Sequence, residues 1–388
     1  MNGVNERLYY LDALRAFALV LGVFFHAGLS FMPVFIGWAV MDIHTSPAVS
    51  LFSLISHSFR MPLFFLLAGF FTHMAVTKYG YAQVLKSRGL RLGIPFVAGW
   101  FLLKPMLVSG WIMGAQSMRG EVMVSDALKQ GITVFESLPT GLLTGTHLWF
   151  LYYLMLFTLV TLIATLPWQA SLFRTPSISR GWARLIMWLS RSSYALPLLT
   201  VCAAICLWFM NHWGLDTPDK SLLPHLPVTL LYGSFFILGW GFHQHPGALS
   251  EFSRIRGGTI IWCLLSVSGS LYFSHFESQP GHPDYTWLKV GFVISYAGMM
   301  WSIVILLIAI CRHIFYRPNA IVSFVAKRAY WLYLVHLPLV VWLQTAFAEL
   351  PYYWLIKLVA IVLSTILVSF LLYELLVKRT WLGRIVAG

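Results

Sequence analysis

Apolar stretches of about twenty residues recur along nearly the whole chain, and few charges interrupt them. A helix of that length crosses a hydrocarbon core of ~30 Å. Within that core only helices and closed barrels satisfy their own backbone polar groups. The runs therefore predict an all-α, polytopic transmembrane bundle. About ten spans are expected, at 10–31, 50–76, 92–114, 146–166, 193–211, 227–243, 258–274, 287–311, 329–348 and 354–376. Residues 1–388 read as a single transmembrane domain, with no soluble domain, low-complexity linker or internal repeat.

Composition points the same way. Hydrophobic residues make up 59% of the chain and charged residues 10%. A soluble protein could not hide that much apolar surface behind so few charges. The chain has 17 Trp and 17 Tyr, many of them near the run ends, as in an interfacial belt. A net charge of +13 invites a nucleic-acid reading. The basic residues are scattered among short loops, however, which suits membrane orientation and no nucleic-acid partner. Cys202, Cys206, Cys263 and Cys311 fall in apolar runs without a CxxC, so they read as small core residues, with no disulfide framework and no metal site. The first run holds Arg15 and His26 and precedes no small-residue cleavage site, so it reads as a retained span rather than a signal peptide.

Loop charge alternates. One set of loops carries Arg7; Lys78, Lys86, Arg88 and Arg91; Arg174, Arg180, Arg184 and Arg191; Arg254 and Arg256; Arg312, Arg317, Lys327 and Arg328; and Lys378, Arg379 and Arg384. The other set holds Arg119, Lys129 and Lys220 together with most of the acids. The positive-inside rule then implies an even number of spans with both termini cytoplasmic. The outer loop 115–145 is the longest connection and is expected to cover an outward-facing site.

Ionisable groups inside the bilayer are functional suspects. Arg15 and His26 are eleven helical steps apart, which places them within ~20° on one face with a rise of ~16 Å. Snorkelling of Arg15 and a structural hydrogen bond from His26 remain the alternative. His57 and Arg60, at i and i+3, share a face of the second span. A buried Arg needs an anionic partner, and that span contains no acid, so the partner lies on another helix or is a ligand. His147 opens the fourth span on the outer side, beside Trp149. His336 and Glu374 fall on the inner side, where an ion pair between Glu374 and Arg15 is one reading. Arg88 and Arg91, also i and i+3, are either positive-inside anchors or a grip for phosphates. The result is a largely cationic inner layer (Arg15, Arg88, Arg91, His336, Glu374) and an imidazole-rich outer layer (His26, His57, Arg60, His147). That layout suits an anionic donor at the cytoplasmic face and a general base near the outer face.

Several segments resemble the membrane acyltransferase-3 family. Arg15 followed after ten residues by His26 is similar to its Arg-x10-His signature. Phe64-Phe65-Leu66-Leu67-Ala68-Gly69-Phe70 is similar to its Phe-Phe-x-x-Ser-Gly-Phe segment, with Ala68 in place of Ser. Arg88-Gly89-Leu90-Arg91 with Pro95, and His147-Leu148-Trp149-Phe150-Leu151, also resemble family motifs. The segments His57-Ser58-Phe59-Arg60-Met61, Phe236-Ile237-Leu238-Gly239, Tyr333-Leu334-Val335-His336 and Tyr373-Glu374 resemble its glucan branch, inner-membrane succinyltransferases acting on osmoregulated periplasmic glucans.

The resemblance implies an O-acyltransferase of the bacterial inner membrane. Its donor substrate would be acyl-CoA, as succinyl-CoA or acetyl-CoA, with no permanently bound cofactor; its acceptor would be a periplasmic glucan, with membrane lipid around it. It assigns His26 to catalysis, with His57 and His147 beside it, and gives Arg15, Arg88, Arg91, His336 and Glu374 to the donor. Arg60 and Trp149 are the expected substrate contacts. Two other readings compete: an O-acetyltransferase of another cell-surface polysaccharide or lipid, and a transporter of a small molecule or glycan. Inverted repeats would favour the transporter.

Overall fold

The computed structural model describes residues 8–137, 144, 146–169, 176–380 and 383, and among them every regular element is helical. The chain runs through α1 (Tyr9–Gly28), α2 (Pro47–Tyr79), α3 (Tyr81–Arg88), α4 (Ile94–Ser117), α5 (Val124–Thr133), α6 (Trp149–Gln169) and α7 (Pro176–Arg191). It continues through α8 (Ala195–Trp208), α9 (Leu226–Gln244), α10 (Ala248–Phe252), α11 (Gly257–Ser274), α12 (Tyr285–Ile314), α13 (Ala320–Phe347) and α14 (Trp354–Leu372).

Among the described residues nine helical segments are long and apolar enough to cross a membrane. The tenth expected span, 193–211, differs. Its helix α8 has 14 residues, about 21 Å at ~1.5 Å per residue, short of a bilayer core. The amphipathic α7 precedes it and turns 106° away from it. Arg180, Arg184 and Arg191 break the apolar pattern of α7, so it suits an interface better than hydrocarbon. α4 runs continuously across Lys104. Of the four cysteines only Cys311 is buried, and Cys202 is exposed, which corrects the expectation of four core residues.

Local chemistry sets the helix ends. Pro47 opens α2 behind Ser46, whose Oγ accepts from the Ala48 N–H at 3.3 Å. Gly80 closes it at φ 80°, a conformation that glycine adopts without strain. Asn319 caps α13 by accepting from the Val322 N–H at 3.0 Å.

The bundle is tightest where α2 crosses α9. A Cβ on Gly69 would overlap the Phe236 carbonyl, and one on Gly239 would overlap the Leu66 carbonyl. The two glycines thus let the backbones touch reciprocally, as small residues do between membrane helices. α1 packs against α13, α2, α12 and α14. α5 packs on α4, where Gly131 meets Pro105 and Ser109. This covers part of the long 115–145 connection; residues 138–143 and 145 lie outside the described residues.

Candidate active site

Two groups of side chains sit at different heights along α1. The first surrounds a cavity of about 540 Å³ between α1, α2, α6 and α13. Arg15, Arg88 and Arg91 line one end of it, as their shared layer in the sequence implied. Arg88 is the last residue of α3, and Arg91 lies in a π-helical turn, Gly89–Gly93, that joins α3 to α4. Such turns often mark functional sites. The Arg88 guanidinium donates to Thr72 Oγ1 at 3.2 Å, and the Arg91 carbonyl accepts from Tyr330 Oη at 2.6 Å. Arg15 lies over the Phe71 ring and 3.8 Å from Asp12. Away from the arginines the walls are apolar and aromatic, with Leu19, Met61, Phe64, Phe150 and Tyr333 among them.

Tyr333 joins the cavity to the second group. Its hydroxyl donates to the His147 carbonyl at 2.6 Å, and its ring is 6.1 Å from His336. His336 in turn lies 5.3 Å from His26 and 6.0 Å from His147, between ring centroids. His57 stacks on Phe25 at 5.5 Å, and the Arg60 guanidinium covers the same ring at 4.2 Å. Helix α1 therefore carries an arginine end and a histidine end about 16 Å apart.

Hydrogen-bond chemistry distinguishes the four imidazoles. Backbone carbonyls only accept, so a ring nitrogen that meets one must carry the proton. His57 Nε2 donates to Leu215 O at 2.8 Å and His147 Nε2 to Leu334 O at 2.9 Å, while His336 Nδ1 donates to Tyr333 O at 2.7 Å. Each ring is thereby locked in one tautomer, with its other nitrogen left as an acceptor. His26 makes no such bond with the described residues, and its Nδ1 is buried without a partner. Of the four, it alone is uncommitted to a carbonyl.

The bond of His147 has a cause in the sequence. Leu334 is four residues before Pro338, which has no N–H to return to the Leu334 carbonyl. His147 fills that vacated helix bond from α6's entry turn. The His57 bond rests on a loop that is itself pinned. Asp216, next to Leu215, accepts from the backbone N–H of Asn211 at 2.7 Å and from His212 Nδ1 at 2.8 Å. Burial alone would raise the Asp216 carboxyl, but these donors outweigh it and hold it below the ordinary value of 3.8.

Arg60 is 5% exposed, its Nη1 has no partner, and no carboxylate pairs with it among the described residues. Three other expected site residues differ from the sequence reading in position or partner. His336 belongs to the histidine end, because the i, i+3 geometry at Tyr333 turns it toward His26. Glu374 is taken by Arg328 at 2.5 Å and Lys378 at 2.6 Å, and does not meet Arg15. Trp149 is packed in the aromatic core, stacked on Tyr232 at 5.7 Å, and does not line the cavity. No group of three or more metal-ligating side chains occurs among the described residues.

Sequence reasoning passed over Trp38, Gln344 and the Asp42–Lys357 pair, all of which bear on the histidine end. Lys357 and Gln344 were visible as polar residues inside apolar runs. Trp38 gave no signal beyond its place in a belt.

The model of the acyltransferase-3 family, described as an acyltransferase domain, matches residues 8–374. The chain belongs to the acyltransferase-3 family. It is therefore a multi-pass membrane protein of an acyltransferase family. Proteins named glucans biosynthesis protein C from Salmonella typhi and Salmonella agona are 26% identical over 338 residues, covering 86% of this chain and 82% of each relative. No solved structure matches it. Some family-like motifs now have a packing role: Gly69 and Gly239 are where α2 and α9 touch. Others, around Arg15, His26, Arg88, Arg91 and His147, converge on the cavity and the imidazole cluster.

Proposed function

We propose that the protein is a transmembrane O-acyltransferase of the bacterial inner membrane, with both termini cytoplasmic. In this reading it moves an acyl group, succinyl in preference to acetyl, from cytoplasmic acyl-CoA to a hydroxyl of a periplasmic glucan. One observation carries the reading. A cavity with three arginines at one end is separated by Tyr333 from a histidine cluster containing one uncommitted imidazole.

The arginines suit the phosphates of CoA, since guanidinium groups pair with phosphate oxygens in two-point geometry. The apolar walls beyond them suit the pantetheine arm. The thioester would then reach His26. A sugar hydroxyl is a weak nucleophile at neutral pH, and imidazole titrates in the range needed to take its proton. The hydroxyl oxygen attacks the thioester carbonyl as His26 accepts the proton. The C–S bond breaks, and the leaving thiolate takes that proton from the imidazolium. The products are the sugar ester and free CoA. In this reading the acyl group passes directly from thioester to sugar hydroxyl, without an acyl-enzyme. His57 and His147, each locked as a donor to a carbonyl, hold the cluster's shape and offer acceptor nitrogens to the sugar hydroxyls.

Arg60 supports the choice of succinyl. A buried guanidinium without a carboxylate partner suits an acyl group that brings one. The name of the relatives supports a glucan acceptor. The test is to incubate membranes containing the protein with labelled succinyl-CoA or acetyl-CoA and to ask which glycan carries label. Label in a periplasmic glucan from succinyl-CoA, lost in His26→Ala, is the expected result. Absence of transfer from either donor would favour a transporter, and transfer from acetyl-CoA alone would favour an O-acetyltransferase.

A further inference from the structure

We propose that Trp38 and Gln344 are positioning residues that fix the His26 ring, and that the connection carrying Trp38 is latched in place by the Asp42–Lys357 pair. The proposal rests on the reading of His26 as the base. His26 lies in the last turn of α1, where its carbonyl accepts from the Leu29 N–H at the C-cap and retains a second lone pair. Gln344, 1% exposed on α13, reaches this turn, and its Nε2 donates to the carbonyls of His26 at 2.9 Å and Ala27 at 3.0 Å. Its Oε1 accepts from Trp38 Nε1 at 2.9 Å. The orientation of this amide is set by chemistry: carbonyls only accept and an indole only donates. The Trp38 indole then lies on the His26 ring, 5.8 Å between centroids and 20° between planes. Trp111 braces Trp38 from the side at 5.1 Å.

An imidazole that bonds to no described residue gets its orientation from its ring neighbours, here Phe25, which meets it edge-on, together with Trp38 and His336. One amide therefore ties the helix end below His26 to the ring above it. Residues 32–46, which carry Trp38, are held at several points. Asp42 N donates to Ser30 O and Ser46 N to Phe31 O, both at 2.9 Å. The Asp42 carboxylate meets Lys357 Nζ at 2.6 Å, with the lysine side chain fully buried. Lys357 also donates to Leu350 O at 2.9 Å, tying α14, the α13–α14 turn and the Trp38 connection together. An ion pair is costly to bury, and this one fixes the connection that carries Trp38.

Positioning residues act on turnover rather than on binding. The experiment measures kcat and the KM of donor and acceptor in membranes for Trp38→Leu, Trp38→Phe, Gln344→Met and Lys357→Met. It also measures the rate at which diethyl pyrocarbonate modifies His26. The expected result for Trp38→Leu and Gln344→Met is a fall in kcat of about 10–100-fold, the scale of a displacement near 1 Å, with both KM values within about twofold. His26 should also react faster with the reagent. Trp38→Phe, which keeps an aromatic ring for stacking while losing the N–H and the fused second ring, should recover part of the Trp38→Leu loss. Lys357→Met should lower kcat in the same manner. If it fails to fold, the Trp38 pair still decides the question. A rise in acceptor KM at unchanged kcat would overturn the proposal and make Trp38 a stacking platform for the sugar. Wild-type kcat in both Trp38→Leu and Gln344→Met, with His26→Ala inactive, would overturn it while leaving the proposed base intact. Transfer surviving in His26→Ala would instead remove the reading on which it rests.

Discussion

A base that takes a proton from a sugar and returns it to a thiolate needs an unprotonated ring nitrogen, which all four imidazoles retain, so the family resemblance as well as hydrogen bonding points to His26. In this cluster His57, His147 and His336 are each committed as donors to a carbonyl, and His26 is not. In the proposed reading His26→Ala therefore lowers kcat by about 10²–10⁴-fold, the usual worth of general base catalysis, without changing insertion into the membrane. Single-turnover transfer of labelled acyl groups checks it. Arg60→Leu is expected to impair succinyl transfer by at least about tenfold more than acetyl transfer, since a charge-assisted hydrogen bond is worth about 1.5–3 kcal/mol. Competition between the two donors reads that ratio directly, and an equal loss of both would make Arg60 structural. Residue identity and spacing singled out His26, Arg15, Arg88 and Arg91 as candidates, and the family resemblance supplied their expected roles. Identity and spacing placed His336 at the inner side and offered Arg15 as the partner of Glu374, because depth counted from a span boundary does not say where a side chain turns or which neighbour takes it. Arg328 and Lys378 flank Glu374 from α13 and from its own helical turn, and that pairing depends on tertiary packing.

At the scale of elements, prolines and glycines explain more than hydropathy does. Pro338 leaves the Leu334 carbonyl for His147. Pro338→Ala would restore the helix N–H and compete with the imidazole, so the protein should be no less stable while transfer falls by about tenfold. Thermal unfolding in detergent together with activity in membranes separates the two effects. Gly69→Ala or Gly239→Ala should destabilise by about 1–3 kcal/mol or more, because a methyl group would enter a backbone contact that cannot yield. The unfolding midpoint in detergent measures this. The turn holding Asp216 adds a pH dependence. Its carboxyl is lower in the folded loop than in an unfolded chain. The stabilisation is therefore complete above ~4 and is lost as pH falls through the lowered value. Hydrogen-exchange protection at 209–225 should be level from neutral pH to about 5 and drop below about 4, and Asp216→Asn should abolish that drop. The elements themselves were legible as apolar runs. The break between α7 and α8 was not, because an interfacial helix and a short span together occupy about the length of one span and its loop.

For the whole molecule, hydropathy and loop charge implied ten spans, and nine stand alone among the described residues, with α7 and α8 forming a bent pair. Sequence could show that arginines and histidines fall at different depths. It could not show that a cavity of about 540 Å³ runs from one group toward the other, since that depends on how α1, α2, α6 and α13 pack. The proposed function makes this bundle a passage for an acyl group rather than a scaffold around a soluble site. The most direct test is sidedness in proteoliposomes of the purified full-length protein. Labelled succinyl-CoA is supplied only at the face bearing Arg15, Arg88 and Arg91, with a glucan acceptor only at the opposite face. Label on the glucan, lost when donor and acceptor are exchanged between faces, is the expected result. Label that appears only when both substrates share one face would contradict transfer through the bundle.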